Sequence, residues 1–133
     1  MTSRRILTLA AAIAATTGLA QDDALPGEEI YLNNCAACHG VSLDGKGVMA
    51  GVMIVKPKDL TRLSRNNDGA FPLFQVIQRI DGRDPLVSHG SPMPVYGDFF
   101  EGQDVIIKTD AGQPIATSAR VVELVTYLKA QQK

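Results

Sequence analysis

Apolar positions along the chain form one unbroken run and two periodic stretches. The run is Ile6 to Leu19, uncharged, preceded by Arg4 and Arg5 and ending in Gly18-Leu19-Ala20 before Gln21-Asp22-Asp23. A positive start, an apolar middle and small residues at the end are the layout of a secretory signal peptide, with cleavage expected after Ala20. The run is short for a membrane span, which needs about 20 residues; an uncleaved N-terminal anchor is the other reading. Residues 1–20 are therefore set apart from 21–133, which are expected to fold as one domain.

The periodic stretches predict helices. Leu73, Val76, Ile77 and Ile80 fall at i, i+3, i+4 and i+7, the spacing of one buried helix face, after Pro72 and before Gly82. Val121, Leu124, Val125 and Leu128 repeat that spacing in a last helix from about Ser118 to Gln131. A further helix is predicted from Pro26 to about Cys35. It opens on Pro26-Gly27-Glu28-Glu29, where proline and acidic residues suit a first turn. Residues 40–58 are glycine-rich and read as loop, with a turn at Asp44-Gly45-Lys46-Gly47. Asp59 is placed to cap a short helix through Arg65, and Asn66-Asn67-Asp68-Gly69 is a turn. Residues 83–100 hold three prolines and two glycines and read as loop. Val105–Lys108 and Pro114–Thr117, flanking Asp110-Ala111-Gly112, predict a small β-hairpin.

Charge adds little to this picture. The whole chain has 13 Lys and Arg against 14 Asp and Glu. Loss of the leader removes Arg4 and Arg5 and leaves 11 against 14, a mildly acidic domain. That balance argues against nucleic acid as a partner. Lys46, Lys56, Lys58, Arg62 and Arg65 make a locally positive segment. It reads as a docking surface for an acidic partner, as a partner for haem propionates, or as solvated surface.

The candidate chemistry lies in Cys35-Ala36-Ala37-Cys38-His39, which holds both cysteines of the chain. C-x-x-C-H is the attachment motif of a c-type haem. Two thiols three positions apart can each add to one vinyl group on the same porphyrin edge, and the adjoining histidine supplies an axial nitrogen. A structural disulfide has no use for His39. A thiol-disulfide oxidoreductase would place the motif after a strand in a βαβ chain, which is absent here. Tetrahedral zinc needs four ligands, and only His89 remains to join the three in the motif.

An electron-transferring haem iron keeps a second strong axial ligand, and methionine opposite histidine raises its potential. Met49 and Met53 follow His39 too closely to pass around a ring with ease. Met93 stands 54 residues after His39 between Pro92 and Pro94, whose fixed φ angles stiffen its loop. His89, four residues earlier, is the rival ligand.

Taken in order, these residues resemble class I bacterial cytochrome c over nearly all of the chain from about Gly27 to Gln131. Gly27-x-x-x-Tyr31-x-x-x-Cys35 is similar to that family's first helix, and Leu124 and Tyr127 to its partners on the last helix. Met93-Pro94-Val95-Tyr96-Gly97 resembles the methionine-ligand loop. Pro57, in Lys56-Pro57-Lys58-Asp59-Leu60, resembles the proline whose carbonyl accepts a hydrogen bond from the proximal histidine Nδ1. The resemblance implies an all-α domain with crossed terminal helices around one covalent haem c, held by Cys35 and Cys38 with His39 and Met93 on the iron. It implies an electron carrier with protein donor and acceptor, not an enzyme, working as a monomer or as a subunit of a redox complex; export together with a covalent haem points to a bacterial periplasm. The alternative is a haem-bearing subunit or sensor whose sixth position is open or held by His89. Residues 101–117 are a departure, longer than the family minimum before the last helix.

Overall fold

Pro26 opens helix α1 (Pro26–Asn34), with Glu28 and Glu29 in its first turn. Carboxylates there face the positive end of the helix dipole. The ladder breaks at Cys35, whose φ of −117° departs from helical geometry, and resumes as α2 (Ala36–His39). Gly40 ends it at φ +82°, a conformation that glycine enters without penalty. The computed structural model describes residues 25–83, 92–97, 99–100, 102–109 and 111–133. The signal peptide expected over 1–20 lies outside the described residues.

The predicted cap at Asp59 forms: its side chain accepts from the Thr61 amide at 2.9 Å. The element it opens is a 3₁₀ turn, Leu60–Arg62, shorter than the helix expected through Arg65. The Asn66–Gly69 turn follows. Helix α3 (Leu73–Asp81) begins after Pro72 and stops at Gly82, which takes φ +83°. Ile77 and Ile80 are buried, and Leu73 and Val76 half-buried, so the predicted face is the packed face.

Strands β1 (Asp104–Lys108) and β2 (Pro114–Ser118) pair antiparallel, with Ile106 opposite Ala116. The hairpin closes over Gly112, at φ +79°. Ile115 and Thr117 of β2 point into the protein while Pro114 and Ala116 face out, the alternation that a two-sided strand requires. Through β2 the hairpin leans on α3 and on the last helix. That helix, α4 (Ala119–Ala130), is capped by Ser118, whose hydroxyl accepts from the Val121 amide. Val121, Leu124, Val125 and Leu128 are all buried, as the spacing requires. Burial of each such side chain contributes roughly 1.5–3 kcal/mol.

The main packing is α1 against α4. A Cβ on Gly27 would overlap the Glu123 carbonyl, so the crossing depends on a residue without a side chain. Tyr31 stacks at a tilt on Tyr127, ring centroids 5.6 Å apart. Among the described residues no helix is long and apolar enough to cross a membrane. The architecture is a helical fold with packed terminal helices and a small hairpin before the last one.

Candidate functional site: the Cys35–His39 turn

The break at Cys35 and the restart at Ala36 put both cysteines and His39 on one short turn. The amides of Cys38 and His39 both bond to the Cys35 carbonyl, at 3.1 and 2.9 Å. A helix end leaves its last carbonyls without partners, and here the chain itself returns to supply them. Met49, Gly47 and Gly45 donate their amides to the carbonyls of Ala37, Cys38 and His39, at 2.9, 3.0 and 2.8 Å. The approach is so close that a Cβ on Gly47 would overlap the Ala37 carbonyl. Beneath the turn, the buried Tyr31 hydroxyl donates to the Gly40 carbonyl at 2.5 Å.

His39 Nδ1 lies 3.0 Å from the carbonyl of Lys58. A carbonyl only accepts, so Nδ1 donates; in the neutral ring Nε2 then keeps its lone pair, the form that binds iron. The expected acceptor was the Pro57 carbonyl, and the structure corrects it by one residue. Successive carbonyls in extended backbone point opposite ways, so one of the pair faces the ring and the other faces away. The Pro57 oxygen is turned toward Gly45, 2.5 Å from where a Cβ there would stand.

Both cysteines are free and half-buried, which removes the disulfide reading. Burial pushes the Cys35 thiol up to about 11, with the neighbouring Cys38 adding to the rise. A redox-active thiol is lowered instead, and no βαβ unit is present among the described elements. No group of three or more His, Cys, Asp and Glu suited to a metal ion occurs among the described residues. The fourth ligand that a zinc site would need, His89, lies outside the described residues.

The donor set fits a haem, and so does the surface near it. Cys35, Leu60, Leu63, Leu73, Val76, Met93 and Tyr96 each pack on the same core while staying partly open. The loop that returns over the turn leaves Val48, Val52 and Ile54 uncovered, at 88%, 78% and 99% exposure. This apolar surface matches a flat, largely apolar group better than it matches water. A cavity of about 570 Å³ lies elsewhere, between the end of α3 and the hairpin, lined by Asp81, Arg83, Phe100, Asp104 and Thr117. It touches none of the motif residues.

Met93 is half-buried against the core. Its loop is fastened on the far side: the Tyr96 amide bonds to the Ile80 carbonyl at 2.8 Å, and the Phe100 amide to the Tyr96 carbonyl at 2.9 Å. The Tyr96 hydroxyl donates to the Asn34 carbonyl at 2.8 Å. Met49 is exposed and Met53 half-buried on the loop above the turn. The rival ligand His89 lies outside the described residues. Two parts of the site carried no sequence signal, because the Lys58 and Asn34 acceptors are backbone atoms. The tyrosine that reaches Asn34 was visible in Met93-Pro94-Val95-Tyr96-Gly97, though its contact was not.

Comparison with known families decides the membership. The cytochrome c family model matches residues 24–132. The chain belongs to the cytochrome c family. No curated protein and no solved structure matches it. The chain thus has a class I cytochrome c-like domain whose cysteines are spaced as in a haem-attachment motif. Cytochrome c membership supports an electron-transfer role and is consistent with a carrier that catalyses no reaction of its own.

Proposed function

We propose that this chain, freed of residues 1–20 in a bacterial periplasm, holds one haem c through Cys35 and Cys38. His39 and Met93 would hold its iron, and the protein would pass single electrons between a donor and an acceptor protein. The observation that carries this reading is His39: its Nδ1 side is held by the Lys58 carbonyl, and its Nε2 is presented on the same turn as two free thiols. When bound, the haem supplies an iron that alternates between ferric and ferrous, one electron at a time.

The residues have simple tasks. Each cysteine thiol would add across one vinyl double bond, its S–H hydrogen going to the other vinyl carbon, and so would keep the group on the protein when the solution is dilute. The Lys58 carbonyl fixes the tautomer and plane of His39. Met93 offers a neutral thioether, so no side chain must gain or lose a proton when an electron moves. No acid, base or nucleophile is required.

The test is an optical spectrum, oxidised and reduced, of protein made with a c-haem maturation system, beside Met93→Ala. Covalent low-spin haem is expected, with a weak ferric sulfur-to-iron band that disappears in the variant. A low-spin spectrum without that band in the wild type would move the sixth ligand to His89. A high-spin spectrum would favour a sensor or enzyme subunit, and absence of haem would sink the reading.

A further inference from the structure

The break in the helix ladder at Cys35 has an effect on the opposite side of the site. Since the amides of Cys38 and His39 both go to the Cys35 carbonyl, the carbonyl of Asn34 is left outside the ladder. It belongs to the residue immediately before the first attachment cysteine. The group that meets it is the hydroxyl of Tyr96, 62 residues away in sequence.

Tyr96 is held from three directions. Its amide is fixed to the end of α3 at the Ile80 carbonyl. Its ring stacks on Phe100, a residue with no exposed surface, at 5.3 Å and 20°. Its hydroxyl reaches α1. The first two ties fasten the loop to α3 and the core. The third joins the methionine loop to the helix that leads into the two cysteines. A carbonyl cannot donate, so the phenol must, and phenylalanine at this position could stack but could not make the bond.

We propose that Tyr96 is a positioning residue for the sixth ligand: its hydroxyl bond to Asn34 fixes the distance between the Met93 loop and the turn that carries the haem. The proposal rests on the Met93 reading above. The simpler account is that Tyr96 only fills space on Phe100. The two differ in what loss of one oxygen does, because Tyr96→Phe keeps the stacked ring.

The experiment uses the ferric holoprotein and exogenous imidazole, which competes with the methionine sulfur for iron. Tyr96→Phe should bind imidazole about tenfold more tightly than the wild type, the factor expected when a net hydrogen bond holding the loop is removed. Its reduction potential should fall. Val125→Ala, which opens a gap in the buried face of α4, serves as the comparison. It should lower the denaturant midpoint and leave imidazole affinity unchanged. Wild-type imidazole affinity in Tyr96→Phe, or an equal gain in Val125→Ala, would overturn the proposal. If the wild-type sulfur-to-iron band is present and is lost in Met93→Ala, either result sinks the positioning role alone. If that band is absent or survives Met93→Ala, Met93 is not the ligand and both readings fall.

Discussion

At the scale of single residues, the site is built mostly from backbone carbonyls that accept from side chains. His39 is held by Lys58, Tyr96 holds Asn34, and Tyr31 holds Gly40. Residue identity in the sequence names the donors and is silent on the acceptors, which is why the Pro57 expectation was off by one carbonyl. Tyr31 also gives the molecule a pH limit. Burial raises its phenol well above the usual tyrosine range. The unfolded chain releases this proton near pH 10, while the folded chain retains it. Stability is therefore complete below about pH 10 and declines as pH rises beyond it. Denaturant midpoints taken from pH 8 upward should drop above that point in the wild type and less steeply in Tyr31→Phe. Parallel curves would show that Tyr31 is not responsible.

At the scale of elements, the apolar spacing announced α3 and α4, and their buried faces are the ones the spacing selects. Their ends were legible too, because Pro72, Gly82 and Ser118 are residues with specific backbone or capping chemistry. The hairpin was readable from its turn. What could not be read was its use: Ile115 sits in the core, so part of the extra length over 101–117 completes the packing of α3 and α4. The helix after Asp59 came out short because a single cap starts a turn without supplying an apolar face to prolong it. The crossing of α1 and α4 leads to a direct prediction. Gly27→Ala places a methyl group onto the Glu123 carbonyl, and the backbones must separate. A loss of about 1–3 kcal/mol is expected, read from urea unfolding. A change near zero would mean that the helices can slide apart without cost.

At the scale of the whole molecule, charge is mildly negative and locally reversed between Lys46 and Arg65. Much of that local charge is already engaged. Lys46 pairs with Asp44 at 3.6 Å and Arg62 with Asp59 at 3.4 Å. Lys56 donates to the Ala50 carbonyl, so replacing it would disturb the loop as well as the field. Lys58 is exposed and has no ion pair among the described residues, while its backbone carries the His39 contact. Its side chain is thus the cleanest probe of docking charge. In Lys58→Glu, electron exchange with anionic hexacyanoferrate should slow a few-fold at low salt and recover toward the wild-type rate at high salt. An unchanged low-salt rate would assign this segment to plain solvated surface.

The pairing of α1 with α4 also sets an order of events in time. A chain made amino end first brings Cys35 and Cys38 into the open long before Leu124 and Tyr127 exist. Until then α1 has no apolar surface to lie against, and nine residues alone are too few to hold a helix in water. The two thiols therefore spend the whole interval between the first helix and the last on an unfinished chain, open to modification. The closing of α4 ends that interval and turns a reactive segment into the floor of a finished protein.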